Sequence, residues 1–289
     1  MHRMLAQPMP YRAWLLLACL LTLAGCENTD LQLATEAGID AVQAVTLSDR
    51  DVHQLAQQAA RLSDDKNRLA DPASKYAQRL ARLTGEHLEA DGFQFTCRVY
   101  LAKEVNAFAM ADGTIRVYSG LMDMMDDGEL RFVIGHEMGH VVRKHIRKKL
   151  QLAYAASALR KGIASQAGTA GAIAASQLGG FTESLVNAQF SQQEEREADD
   201  YGATFLERQG HGKKPAVSAL RKLAALGNDH SFLASHPAPG VRADRLEKGA
   251  PDPAQTSHSL TDTILTRIRQ VAPLLFAQLK ALLSSLRIP

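Results

Sequence analysis

His136 and His140 stand four residues apart in the stretch VIGHEMGHVVRKH, and Glu137 follows the first of them. On a helix, at about 100° per residue, the two histidines differ by roughly 40° around the axis, so both imidazoles point the same way. Two imidazoles on one face, one turn apart, can hold the same metal ion. Glu137 projects to the side, where it can reach a water at the metal and act as its general base. The trio is embedded in the apolar run RFVIGHEMGHVV. Buried polar groups need partners, and a metal supplies them. Zinc, one ion per chain, is the expected cofactor. Gly135 and Gly139 leave the backbone lightly covered around the site.

A catalytic zinc takes three protein ligands and keeps one position open. One known solution places a third histidine six residues after the second. Here that position is Ile146, and the position usually held by glycine is Arg143, so that solution is excluded. On a continuous helix His145 points roughly 180° away from His136. It is expected with Arg143, Lys144, Arg147, Lys148 and Lys149 on a solvated basic face that suits the C-terminal end of a helix dipole. The third ligand is therefore expected from another helix, and QQEEREADDYG offers Glu194, Glu195 and Glu197. Metal-bound histidines usually donate their second N–H to a carboxylate. Glu195 has Asp199 four residues on, whereas Glu194 has Ala198 and Glu197 has Tyr201. Residues four apart share a helix face, which selects Glu195 as ligand and Asp199 as the residue that orients a histidine. Glu194, Glu197 and Asp200 are expected on a salt-bridged surface.

These residues need elements to position them. Apolar residues recur at three and four from Ser48 to Leu83, which predicts two amphipathic helices broken near Asp71–Pro72. Thr96–Ala102 alternates like a strand, and Asn106–Gly120 reads as a hairpin with Asp112–Gly113 at its turn. Asp126 and Asp127 can cap a helix of about residues 128–152 that carries the histidines. Residues 153–182 are rich in Ala, Gly and Ser and are expected to be loosely packed helix and loop. An acidic helix from Gln192 to Gln209 stops at Gly210, and SHPAPG, Ser235–Gly240, reads as a loop. A stripe from Leu260 to Leu286 predicts a long C-terminal helix docked on the core. Asn106, Ala107, Phe108 and Ala109 are the candidate sheet edge, to which an extended peptide substrate can add as a strand.

The N-terminus reads as an export signal. Arg3 and Arg12 precede the apolar run Ala13–Ala24, which is shorter than the roughly 20 residues of a spanning helix. Leu23–Cys26, LAGC, resembles a bacterial lipobox. That resemblance implies cleavage before Cys26 and lipid attachment to it, and Glu27 in place of aspartate points to the outer membrane. Without Arg3 and Arg12 the acidic and basic residues balance, so the basic excess of a nucleic-acid binder is absent. Cys97 is then the remaining cysteine, and its apolar-alternating context suggests a buried strand residue. The expected organisation is a signal peptide over 1–25, a lipidated cysteine and tether over 26–50, a zinc-site domain over 51–250, and a linker with amphipathic helix over 251–289.

HEMGH, then EREAD, with NAFAMADGTIRVYSGLM upstream and SHPAPGVRADRL downstream, resembles the HtpX / CAAX-prenyl-protease family of zinc metallopeptidases, in its periplasmic lipoprotein branch. The resemblance spans roughly residues 75–250 and makes the domain over 51–250 a zinc metallopeptidase domain. It implies a predominantly helical α+β, zincin-like fold: a helix with the histidines, a small edge-strand sheet and a second helix bearing the glutamate. It assigns zinc to His136, His140 and Glu195 and catalysis to Glu137. It also brings His236 near the metal, to stabilise the transition state or to cap the zinc as a fourth ligand. Arg242 and Tyr201 are further candidates for the oxyanion. Several spanning helices occur in membrane-embedded relatives, and tetratricopeptide repeats in larger periplasmic ones; neither is expected here. The implied role is endoproteolysis of misfolded or misassembled envelope proteins, with outer-membrane assembly machinery as a candidate partner. The rival reading is a non-catalytic lipoprotein chaperone or assembly adaptor, which has no need of Glu137.

Overall fold

The computed structural model describes residues 31–85, 88–164, 189–227 and 230–249. In chain order the elements are α1 (Leu31–Thr46), α2 (Asp49–Lys66), α3 (Lys75–Thr84), β1 (Leu88–Ala90), β2 (Phe93–Tyr100), β3 (Ala107–Ala109) and β4 (Thr114–Tyr118). There follow α4 (Ser119–Met124), α5 (Asp127–Val142), α6 (His145–Ala164), α7 (Gln192–Arg208), α8 (Lys214–Ala225), α9 (Ser231–Ser235) and α10 (Pro239–Lys248). Cys26 with its signal and the stripe from Leu260 to Leu286 lie outside the described residues, as does most of the Ala/Gly/Ser-rich stretch. Leu31–Thr46, within the stretch read as a tether, is helical. Among the described residues no helix is long and apolar enough to cross a membrane.

The chain divides into two compact units, residues 1–42 with 154–181 and residues 43–153 with 182–289. In the first, Asp40 accepts hydrogen bonds from Ser157 Oγ at 2.6 Å and Lys161 Nζ at 2.9 Å. The second contains the histidine motif.

At the centre of that second unit α5 packs against α7. Asp126 caps α5 by accepting from the Glu129 backbone N–H, and Glu129 accepts from the Asp126 N–H in return. Ser191 and Glu194 make the same reciprocal cap on α7. Each cap satisfies two backbone donors that a helix start leaves orphaned. Small residues set the spacing between the two helices. A Cβ on Gly135 would lie 2.8 Å from the Phe205 ring, and one on Gly139 would lie 2.9 Å from Ala198 Cα. Gly202 of α7 meets the His136 backbone at 3.0 Å in the same sense. The close approach brings the acidic side chains of α7 onto the histidine face of α5.

The sheet has the order β1-β2-β4-β3, with β2 and β4 parallel and the outer pairs antiparallel. The β3–β4 hairpin turns at Asp112–Gly113, in the middle of the predicted hairpin. A second Asp–Gly pair, Asp91–Gly92, closes the β1–β2 hairpin with both residues at positive φ, an element that the alternation of residues 96–102 does not announce. Leu80, Ile115, Val117, Met122, Phe132 and Leu220 belong to the buried core under the sheet and helices. α2 is tied to the sheet by Asp64, which accepts from Arg116 Nε and Nη2 at 2.8 Å each and from Tyr100 OH at 2.7 Å. Cys97 is half-buried in β2, and burial pushes its thiol up to about 12, so it is inert at neutral pH.

The helix expected over residues 128–152 is two helices. α5 ends at Val142, and Lys144 adopts φ +59°, in the left-handed region, before α6 begins at His145. This break changes where His145 and every residue after it point.

Candidate metal centre

α5 aims the Nε2 atoms of His136 and His140 at each other across 3.1 Å. The Glu195 carboxylate lies between them, with Oε2 3.6 Å from His136 Nε2 and Oε1 3.5 Å from His140 Nε2. From the loop after α9, His236 brings Nδ1 to 3.2 Å from His136 Nε2 and 2.9 Å from Glu195 Oε1. All four side chains are buried, and their ligand atoms fall within 4.8 Å of one another.

The outer nitrogens decide the protonation of the inner ones. Asp199 Oδ1 lies 3.1 Å from His136 Nδ1 and, as a carboxylate, accepts its proton, so His136 Nε2 carries a lone pair. His140 Nδ1 lies 3.0 Å from His145 Nδ1, and His145 Nε2 lies 3.0 Å from Glu197 Oε2. Glu197 can only accept, so His145 donates to it through Nε2 and accepts from His140 through Nδ1. The His140 Nε2 lone pair then faces inward as well. Two lone pairs and a carboxylate converge where no donor is supplied to all of them. Ligand separations of about 3 Å match tetrahedral coordination at about 2.0–2.1 Å. The donor set of two imidazoles and a carboxylate therefore fits a divalent metal, with His236 at a fourth corner.

Charge in this pocket is balanced from behind. Arg242 of α10 donates to Asp199 through Nε at 2.9 Å and Nη2 at 2.6 Å, and its Nη1 pairs with Glu195 Oε2. Burial pushes the Glu195 carboxyl up, but His236 and Arg242 outweigh it and hold Glu195 well below the usual carboxylate range. Asp199 is lowered in the same way: burial opposes, and Arg242 prevails. Among the described residues no arginine or lysine ion-pairs with Glu137. Burial pushes its carboxyl above the ordinary value, against His236 and His136. Its Oε1 is buried without a hydrogen-bond partner among the described residues and lies 3.5 Å from His236 Nε2.

The site opens on a cavity of about 570 Å³ that Glu137 and His236 line together with β3, one face of α2 and Phe190. β3 is an edge of the sheet. Tyr118 N–H donates to Asn106 O and Met110 N–H to Thr114 O, so the backbone groups of Ala107 and Ala109 point away from β4. The Ala109 N–H favours the charged Glu137 carboxylate. Asn106 Oδ1, also on the cavity, is buried without a partner among the described residues.

Several placements differ from the sequence reading. His145 is 3 % exposed rather than solvated, because the left-handed Lys144 turns it back onto His140. Glu197 serves His145, and the bond holds its carboxyl down at about 2. Glu194 is buried in the α7 cap, whereas Asp200 is exposed and pairs with Arg245. Arg147 and Lys144 both pair with Asp49, and Lys149 enters the cavity. Arg242 is consumed by Asp199 and Glu195, and Tyr201 donates to Asp91 at 2.6 Å, so neither faces an oxyanion. The loop read over Ser235–Gly240 shrinks to residues 236–238 between α9 and α10. Phe190, stacked 3.8 Å from the His140 ring, carries no sequence signal.

Residues 72–250 match the model of peptidase family M48. The chain belongs to this family. It is 44 % identical over 229 residues to metalloprotease LoiP of Escherichia coli (strain K12), covering 78 % of this chain and 90 % of that protein. It is 39 % identical over 239 residues to metalloprotease YcaL of the same strain, covering 78 % of this chain and 93 % of that protein. The β-barrel assembly-enhancing protease of Yersinia pestis is 28 % identical over 173 residues, which is 53 % of this chain and 35 % of that protein. As an M48 member the chain is a metalloendopeptidase that uses a divalent metal, and its zincin-like α+β fold presents a buried His/His/Glu group.

Proposed function

We propose that the chain is a zinc endopeptidase of the bacterial envelope. Lipid at Cys26 holds it at the periplasmic face of the outer membrane, where it hydrolyses misfolded or misassembled envelope proteins. The observation that carries the catalytic reading is the convergence of His136, His140 and Glu195 beside Glu137, whose Oε1 has no hydrogen-bond partner among the described residues, in a cavity that β3 lines. The envelope role is supported by the LAGC sequence and by distant relatives named β-barrel assembly-enhancing protease.

His136, His140 and Glu195 hold the zinc, which when bound supplies Lewis acidity toward the scissile carbonyl. The chain's own groups do the rest. An extended peptide adds along β3 where that edge lines the cavity, at Phe108–Met110, with the Ala109 carbonyl as its acceptor. Asn106 Oδ1 accepts from a peptide N–H and relieves its own burial. Glu137 takes the proton of the attacking water and passes it to the leaving amine, and its raised proton affinity suits both transfers. His236 Nδ1, packed among the ligand atoms, caps the centre in the resting state. On this reading His236→Ala raises peptide turnover; a fall would make His236 a transition-state stabiliser instead.

The deciding experiment is metal analysis of the purified protein beside Glu195→Ala, with casein zymography of both. About one zinc per chain in the wild type, much less in the variant, and clearing by the wild type alone supports the proposal. A metal-free wild type without clearing returns weight to a non-catalytic adaptor.

A further inference from the structure

Two lysines line this cavity without a part in the catalytic reading, the exposed Lys66 and the half-buried Lys149, and Lys149 is the one that lies beside the metal ligands' aromatic neighbour. It follows His145 by four residues on α6, and with Ile146 and Leu150 it forms the face of that helix that lines the cavity. Its Nζ sits 3.8 Å from the centroid of the Phe190 ring. His140 stacks on that ring at the same 3.8 Å, so the ammonium occupies the opposite face. Phe190 therefore stands as a spacer between Lys149 and the metal ligands. Its position is fixed by its own N–H, which donates to Ser235 O at 3.0 Å.

No carboxylate lies within ion-pairing distance of Lys149 Nζ among the described residues, and the aromatic face is its recorded contact. The basic neighbours on α6 differ: Arg147 pairs with Asp49 and Lys148 with Glu194. Burial pulls the Lys149 ammonium down to about 8, against the opposing pull of Glu194, Glu137 and Glu195. A half-buried cation with no carboxylate in ion-pairing distance gains from an anion that enters its cavity.

We propose that Lys149 and Phe190 form a specificity subsite that selects peptides carrying a carboxylate within about three residues of the scissile bond. This rests on the peptidase reading of the cavity. Lys149 and Glu137 line the same cavity, and the Phe190 ring stands between the ammonium and His140, so the carboxylate belongs beside the scissile bond rather than at it. The apolar wall of the cavity, Leu55, Ala59 and Leu62 from α2, accepts the intervening side chains. Two sources can provide the carboxylate, an acidic side chain or the free C-terminus of a substrate chain.

Binding separates this proposal from the catalytic one. In the zinc-loaded full chain carrying Glu137→Gln, affinity is measured by fluorescence anisotropy for labelled peptides that differ only by Glu or Gln at each of three positions on either side of the cleavable bond. A parallel series ends in free acid or amide. The expected result is about tenfold tighter binding of the charged member at one position or of the free acid, and which series responds identifies the source. Adding Lys149→Met brings that ratio to about one, Lys149→Arg keeps it, and Lys66→Met, at the exposed lysine of the same cavity, keeps it too. Equal binding of charged and neutral peptides, a ratio that survives Lys149→Met, or one that is lost with Lys66→Met overturns the proposal. If Lys149 merely props Phe190, Met weakens all peptides alike and leaves the ratio unchanged, which also overturns it. Turnover of the same peptides by the Glu137-containing protein tests the peptidase reading separately.

Discussion

Glu137→Gln keeps the shape of the side chain and removes its basicity. It is expected to lower peptide turnover about 10²- to 10⁴-fold while zinc content stays at the wild-type level, measured by peptide assay and metal analysis on one preparation. Loss of zinc in this variant would mean that Glu137 acts in metal binding. His145 offers a different test, because it touches no metal position and acts through His140. His145→Ala leaves the His140 Nδ1–H without its acceptor and frees the ring to turn. Zinc affinity, read by competition with a chelator, is expected to fall about 10- to 100-fold. Glu197→Gln shifts affinity in the same direction by less. An unchanged affinity in both would show that stacking on Phe190 is enough to orient His140.

At the scale of elements, the approach of α5 to α7 depends on the absence of three side chains, at Gly135, Gly139 and Gly202. Gly139→Ala places a methyl 2.9 Å from Ala198 Cα, where backbone rather than a flexible side chain must move. The expected cost is about 1–3 kcal/mol in urea unfolding, with weaker zinc binding because Glu195 recedes from the histidines. The link between α2 and the sheet has a pH signature. Arg116 holds Asp64 below its ordinary pKa, burial opposing. A carboxyl lowered by folding contributes stability that is full above its unfolded value of about 3.9 and is lost as pH falls through the folded value. Asp64→Asn is therefore expected to cost about 1–2 kcal/mol at pH 7, and the two stability curves converge in acid. A constant difference across the acid range would assign Asp64 a purely steric role.

At the scale of the whole molecule, metal binding and folding are coupled. Among the described residues Arg242 is the buried cation that pairs with Glu195 and Asp199, and Glu137 is buried beside them, so a divalent cation adds balancing charge to the pocket. Zinc at about a thousand times its Kd adds about 4 kcal/mol of stability. Chelation is expected to lower Tm by about 10 °C, and zinc to restore it, in a thermal melt followed by circular dichroism. An unshifted Tm would mean that the ion pairs with Arg242 alone suffice to hold the pocket together.

The chain's sequence by itself determined what lies within one helix. A spacing of four puts His136 beside His140 and Glu195 beside Asp199, because helical periodicity is local and needs no partner to be read. The cap at Asp126 and the turn at Asp112–Gly113 are local in the same way. The tertiary structure decided what a break or a distant element contributes. The left-handed Lys144 costs the backbone about 1–2 kcal/mol in isolation and leaves no periodic trace, yet it turns His145 from solvent onto His140. Arg242, placed 43 residues after Asp199, pairs with it through packing that no spacing rule encodes. Phe190 and Lys149 meet only because α6 restarts in a new direction beside the segment that leads into α7. Their contact joins residues 41 positions apart, which neither segment encodes alone.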